Sequence, residues 1–488
     1  MSVIIVGSGF GGLSLAALLS NAGKDVLVIE KNSEPGGRAR YYREKGYTFD
    51  LGPSWYIMPD VYEKYFNDLG LGISDCYDLV RIDPSYKIFF KDGEKIFVSS
   101  NLEENFKLFD TFEENGGKKL QKYLERAEKD YKIAVEQLLM RDYNQLRNLI
   151  DGRMIRESIT LPLFGNIEDY ISNIFFSDKL KRILEYSIGF IGGSPKNTPS
   201  IYYIMNHVDF NLGVWYPMGG IGKVVEKLYD ICVENGVIFN FDESVIRILT
   251  DKGTAIGVET TKSEYKADII VVNADYPYSE LNLLDTSERS YNRKYWESKL
   301  FAPSALVIYI GLSKKLDKLE HHNLYLAGDW NLGFDELYDL NDPYWPANIS
   351  YYVNVTSRTD PYVAPKTGES VFILVPTPDN FVDTPNTREL LYNKIVSHIE
   401  QIIDDEIIGY EVVKRIFGPE DFVKDYNAYK KTSLGLVHTL TQSAIFRPSH
   451  RSRKVKNLYY NGHYTHPGIG LPLVLISSQI LAKHLLNS

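Results

Sequence analysis

Three glycines near the start of the chain have the spacing that lets a backbone approach a phosphate. Gly7, Gly9 and Gly12 read G-x-G-x-x-G, after the run Val3-Ile4-Ile5-Val6 and before Leu13 to Asn21. The first glycine permits a sharp turn, the second a close approach to a pyrophosphate, and the third tight packing of the next segment. Val26-Leu27-Val28-Ile29 then ends in Glu30. A carboxylate there can accept hydrogen bonds from ribose hydroxyls and would repel a 2′-phosphate. Lys31 follows, then Glu34-Pro35-Gly36-Gly37-Arg38, a second close backbone approach with a cation attached. These residues fit a dinucleotide with an unphosphorylated ribose. The Gly36-Gly37-Arg38 step, unusual in NAD dehydrogenases, favours a flavin over a nicotinamide.

The elements that must position these residues are readable. Val3 to Val6 is short, apolar and β-branched, as a buried parallel strand is. Leu13 to Asn21 is helical in character and closes at Ala22-Gly23. Its N-terminus offers unpaired N–H groups and a positive dipole end, suited to phosphate. Val26 to Ile29 is the second strand.

Bulk properties narrow the class. A chain of 488 residues with 44% hydrophobic and 24% charged content folds into two or three globular domains. A net charge of −10 argues against nucleic acid as a partner. Cys76 and Cys232 stand alone, which excludes a disulfide scaffold, a zinc ribbon or a cysteine-ligated cluster and fits a reducing compartment. No basic, apolar leader opens the chain and no apolar run reaches spanning length. The expectation is a cytoplasmic enzyme peripheral to the cell membrane. The 36 tyrosines, each with an apolar body and a polar tip, suit greasy cavities and membrane interfaces.

Two further blocks carry a family likeness. Gly46-Tyr47-Thr48-Phe49-Asp50-Leu51-Gly52-Pro53-Ser54-Trp55 precedes Met58-Pro59. Near the carboxyl end stands Asn461-Gly462-His463-Tyr464-Thr465-His466-Pro467-Gly468-Ile469-Gly470-Leu471-Pro472. Between them lie Gly192-Gly193-Ser194-Pro195 and Trp215-Tyr216-Pro217-Met218-Gly219-Gly220. In order and spacing these resemble the bacterial-type phytoene desaturases, FAD-dependent carotenoid desaturases related to the flavin amine oxidases. The family commonly has a second glycine near Tyr464, a departure in this chain.

The resemblance implies an α/β fold: a Rossmann-like FAD-binding domain, a β-sheet substrate domain and a helical insertion. The FAD-binding domain is expected at 1–85, 215–290 and 425–488, the substrate domain at 86–115 and 291–424, and the insertion at 116–214 as a membrane-facing lid. Residues expected at the cofactor are Gly7, Gly9, Phe10, Gly11, Gly12, Glu30, Lys31, Gly37 and Arg38 in the first block, and Gly52, Pro53 and Ser54 in the next. Asn273 and Ala274 join them, with Gly462, Pro467, Gly468, Ile469, Leu471 and Pro472 at the end. The implied reaction desaturates 15-cis-phytoene towards lycopene, with quinone or oxygen as final electron acceptor. The alternatives are another carotenoid (diapophytoene or a hydroxylated one) or an amine substrate. Asp178, with Lys181 or Arg182 nearby, is the candidate acid/base group, although Ser177 or Asp178 at a helix start also reads as a cap. Adjacent His321 and His322, similar to a pair in many phytoene desaturases, should point to opposite faces of a strand. Solvent or hydrogen-bonding roles are expected for them, and no metal.

Overall fold

The computed structural model describes residues 1–143, 161–328, 330–338, 349–378 and 380–487. Two sheets organise it. The first has five strands in the order Leu458–Tyr460, Ile269–Val272, Ser2–Val6, Asp25–Ile29 and Ile238–Asn240, every neighbouring pair parallel. Both faces of its central strand are buried, because alternate side chains serve different layers. Val3 and Ile5 pack with the helices Phe10–Asn21, Ile221–Glu234 and Leu471–Leu486. Ile4 and Val6 pack against a three-stranded meander, Val245–Asp251, Thr254–Thr260 and Glu264–Lys266. The sequence places Val237 to Phe239 in that meander; the structure moves this strand to the parallel sheet, where Leu27 to Ile29 pair with Ile238 to Asn240. A short apolar run carries no mark of which sheet it joins.

The second sheet has seven strands, in the order Glu411–Phe417, Ser304–Leu312, Glu369–Thr377, Tyr351–Asn354, His322–Leu326, Tyr86–Phe90 and Lys95–Val98. All its pairs are antiparallel except His322–Leu326 with Tyr86–Phe90. Alternation again divides the faces: Leu306, Ile308, Ile310 and Leu312 meet the helix Pro385–Ile403, while Ala305, Val307 and Tyr309 face the helical segment.

That segment contains Leu102–Phe112, Gly116–Ile133, Ile167–Ser172 and Asp178–Glu185, then short turns to Leu212. The apolar stripe of Gly116–Ile133 is buried at Leu120, Tyr123, Leu124, Ala127 and Tyr131, so its lysine-rich side faces solvent while the stripe packs on core. No described helix is long and apolar enough to cross a membrane.

Candidate functional site

Both strand ends that flank the glycine turn deliver it to one place. Gly7 N–H donates to the carbonyl of Ile29 (2.8 Å) and Asn273 N–H to that of Val6 (2.8 Å). Gly7 takes φ +100°, a conformation closed to most side chains. A Cβ on Gly12 would sit 2.1 Å from the Gly7 carbonyl oxygen, so only glycine lets the helix start here. Phe10–Asn21 begins at Gly9 with no side-chain cap and no acid in its first turn, leaving its dipole end uncompensated. The helix Leu471–Leu486 likewise starts at Gly470 without a cap.

These ends open into a cavity of about 1330 Å³. That is more than the roughly 300–1,000 Å³ typical of a single small-ligand pocket, and it leaves room for a dinucleotide beside a substrate. Every residue expected at the cofactor lines it except Gly12 and Gly468. Gly12 lies beneath the turn. Gly468 packs away, where a Cβ would meet the His438 ring at 2.3 Å.

The polar groups of the cavity are already arranged for a nucleotide. The buried Glu30 carboxylate accepts from Ser8 N–H (2.8 Å) and Oγ (3.0 Å) through one oxygen, and from Asn32 N–H (2.8 Å) and Nδ2 (3.0 Å) through the other. Lys31 Nζ donates to the Lys424 carbonyl (2.6 Å) and Asn427 Oδ1 (3.1 Å), and burial lowers its pKa. Asn273 Nδ2 donates to the Asn461 carbonyl (2.9 Å), and Asn461 Nδ2 to that of Gly11 (2.7 Å). Arg38 is the exception, because its Nε and Nη2 are buried without a partner. A cation with free donors beside an uncapped helix N-terminus fits a pyrophosphate. Tyr464, where the chain departs from the family pattern, donates its hydroxyl to buried Asp275 at 2.7 Å. Burial pushes the Asp275 carboxyl up to about 6.

The remaining wall is aromatic and aliphatic. Trp55 stacks on His322 (4.2 Å between ring centres) and lies 5.1 Å from Phe190. Ser54 Oγ donates to Tyr352 Oη (2.9 Å), which lies 2.6 Å from His322 Nδ1. Asn354 Nδ2, a donor, also points at that nitrogen (3.4 Å), so Nδ1 is the acceptor in this chain of bonds. His321 Nδ1 meets Thr359 Oγ1 at 2.7 Å. Both histidines are buried with ring centres 4.4 Å apart, which corrects the expectation of opposite faces; of the solvent or hydrogen-bonding roles expected for the pair, they take the second. Burial lowers the His321 pKa to about 3 and, with His321 beside it, holds that of His322 well below the ordinary histidine range, so both rings are neutral. Behind Trp55, Asp209 accepts from Tyr86 (2.7 Å) and Tyr186 (2.9 Å).

Asp178 and Lys181 do not reach the cavity. The Asp178 side chain is 81% exposed and pairs with Lys181 at 3.3 Å. Arg182 donates to the carbonyls of Ala327 (3.1 Å) and Gly328 (2.6 Å). Their position corrects the acid/base assignment, since a proton-transfer group must lie within hydrogen-bond reach of the reacting atom. The helix also starts without a side-chain cap from Ser177.

Several cavity residues escaped the sequence reading. Asn32 follows Glu30 by two residues. Phe190, Ile191, Met205 and Val208 come from the helical segment and carry no motif. Phe164, Leu440, Ile445 and Phe446 line the cavity yet are 81%, 49%, 50% and 55% exposed, so they form its rim.

Comparison with known proteins agrees with this geometry. The pattern of the flavin containing amine oxidoreductases matches residues 10–486. The chain is 40% identical over 487 residues to a carotenoid 3,4-desaturase of Haloarcula japonica, covering 99% of this chain and 98% of that protein. It is 31% identical to a zeta-carotene-forming phytoene desaturase of Myxococcus xanthus, covering 99% and 94%. Putrescine oxidase bound to putrescine has a similar fold, with a TM-score of 0.61 at 12% identity over 100% of both chains.

Proposed function

Because the chain belongs to the flavin-containing amine oxidoreductases, and within them to the FAD-dependent carotenoid desaturases, we propose that it desaturates the 3,4 bond of an already conjugated carotenoid. The observation that supports this bond is the 40% identity to the Haloarcula 3,4-desaturase along essentially both chains, against 31% for the Myxococcus phytoene desaturase. The second reading is phytoene, converted towards lycopene. It is favoured by the Gly-Pro-Ser and Thr-His-Pro-Gly blocks, which resemble those of phytoene desaturases.

Bound FAD supplies the acceptor for the hydrogen and electron pair removed from the carbon chain. The chain's own residues hold and enclose. Arg38 and the uncapped start of Phe10–Asn21 are the groups for the pyrophosphate, and Glu30 for the ribose. Trp55, Phe190 and the helical segment give the polyene an apolar wall and exclude water. The neutral histidine beneath Trp55 fixes the indole and leaves no charge for the hydrocarbon to meet.

The rim supports docking on a membrane surface. Taking a carotenoid through water costs about 0.8 kcal/mol for each exposed CH₂, so the mouth must meet the bilayer. Phe164 from the helical segment and Leu440, Ile445 and Phe446 from outside it are the residues that touch it. Expression in cells that accumulate phytoene, and separately in cells that accumulate lycopene, tests the substrate. The 3,4 reading expects the conjugation of lycopene to be extended and phytoene to stay colourless. Coloured products from phytoene alone would reverse the two readings. Neither product set should depend on added NAD.

A further inference from the structure

A smaller cavity of about 340 Å³ lies beside the rim. It shares Tyr143, Ala444, Ile445 and His466 with the large cavity, and Ile445 is one of the rim residues, so the two adjoin at the mouth. The rest of its wall differs in kind: Arg447, Ser449, His450, Arg451, Ser452 and Arg453 contribute. Residues 447–456 hold five cations, Arg447, Arg451, Arg453, Lys454 and Lys456, and no acid, in a chain whose net charge is −10.

Arg447 is 4% exposed. Its Nη1 donates to the Gln442 carbonyl (3.0 Å) and its Nη2 to those of Leu436 (3.2 Å) and His463 (2.8 Å). Its Nε has no partner. Burial lowers its pKa to about 10, still a cation at neutral pH. Among the described residues no carboxylate forms an ion pair with Arg447, Arg451 or Arg453. Asp142, next to the cavity residue Tyr143, faces His484 at 3.9 Å instead. Arg451 and Arg453 are exposed, and Arg453 lies over the Tyr291 ring at 4.9 Å. A buried guanidinium without a counter-charge is costly unless an anion completes it.

We propose that this cavity binds the phosphate of an anionic phospholipid headgroup. The lipid is the source because the cationic wall adjoins the apolar rim, so one molecule can present acyl chains to the rim and its phosphate to the arginines. The proposal rests on the docking reading above.

The test is flotation of the FAD-loaded enzyme with phosphatidylcholine vesicles and with vesicles containing phosphatidylglycerol. Wild type is compared with the double variant Arg451→Gln, Arg453→Gln and with Phe446→Ser. Two surface arginines should give wild type a preference of roughly thirtyfold for the anionic vesicles. The double variant should lose that preference while keeping its phosphatidylcholine binding and its turnover in detergent. Phe446→Ser should weaken binding to both vesicle types. Equal flotation of wild type on both, or a preference surviving in the double variant, overturns the proposal. If wild type floats on neither, the docking reading fails, and the cavity is then judged by soluble dihexanoyl phosphatidylglycerol. Binding of that lipid, lost in the double variant, upholds the phosphate site, and no binding overturns it. Displacement of that lipid by equimolar inorganic phosphate would assign the site to the free ion and overturn the lipid.

Discussion

The large cavity is built by opposite means at its two ends. At the glycine turn the backbone itself comes close: Gly7 at φ +100°, Gly12 against the Gly7 carbonyl and Gly37 against Gly9 Cα leave no space for side chains. At the Trp55 end the wall consists of side chains, with Trp55, Phe190 and His322 packed ring on ring. A backbone approach tolerates one residue type at one position. An apolar wall tolerates many, provided the volume is filled. Substitutions should therefore act almost all-or-none on cofactor retention at the first end, and by degrees on substrate handling at the second.

The largest effect expected is from Gly12→Val. The new Cβ would lie 2.1 Å from a backbone oxygen, which cannot swing away as a side chain can. The variant should elute from gel filtration without flavin absorbance and with reduced thermal stability. Gly9→Val is the sharper probe. Its Cβ would meet only the Asn273 side chain, at 3.1 Å, so the fold should survive while flavin is lost. A yellow, fully loaded Gly9→Val protein would contradict the assignment of this turn to the pyrophosphate.

This contrast also explains what was legible in the sequence. The dinucleotide sheet and its helix were readable, and nearly all the residues expected at the cofactor line the cavity, because glycine spacing and a terminal acid are strict requirements. The meander was readable except for Ile238–Asn240, whose apolar run names no partner. The turns that bring Phe190 to the cavity were not readable, because an apolar wall imposes no such strict requirement. Asp178 misled for a physical reason. A charged residue at a helix start looks the same in sequence whether it caps, pairs in solvent or faces a substrate, and here it pairs in solvent.

Glu30→Ala should come next in size. It removes the acceptor that holds Ser8 on one side and Asn32 on the other, as well as the proposed acceptor for the ribose. Hydrogen bonds to a charged group contribute about 1.5–3 kcal/mol each, so FAD affinity should fall by at least about tenfold. Fluorescence titration of the apoprotein measures it. Phe190→Ala, at the other end, should leave FAD affinity unchanged and raise KM a few-fold with a smaller change in kcat. If it released flavin instead, the two ends would not be independent.

The last effect, read only as a change with pH, separates two carboxylates. Glu30 meets four N–H and O–H donors at the cavity surface, whereas Asp209 is buried behind Trp55 with two phenols as its donors. Burial raises the Asp209 pKa from the ordinary carboxylate range to about 7, against the opposing pull of Tyr86 and Tyr186. A raised acid holds a proton in the folded state that the unfolded chain has released. Its contribution to stability is therefore full below about pH 4 and is lost as pH rises to about 7, at roughly 1.4 kcal/mol per pH unit. Asp209→Asn cannot titrate. Other buried groups, such as His321 and Asp50, are common to both proteins and cancel in the difference. The stability of wild type minus that of Asp209→Asn, from urea unfolding, should thus fall between pH 5 and 7 by about 2–3 kcal/mol and stay level from pH 7 to 8. A difference that does not change with pH would mean that the two phenols stabilise the charge as well as water does.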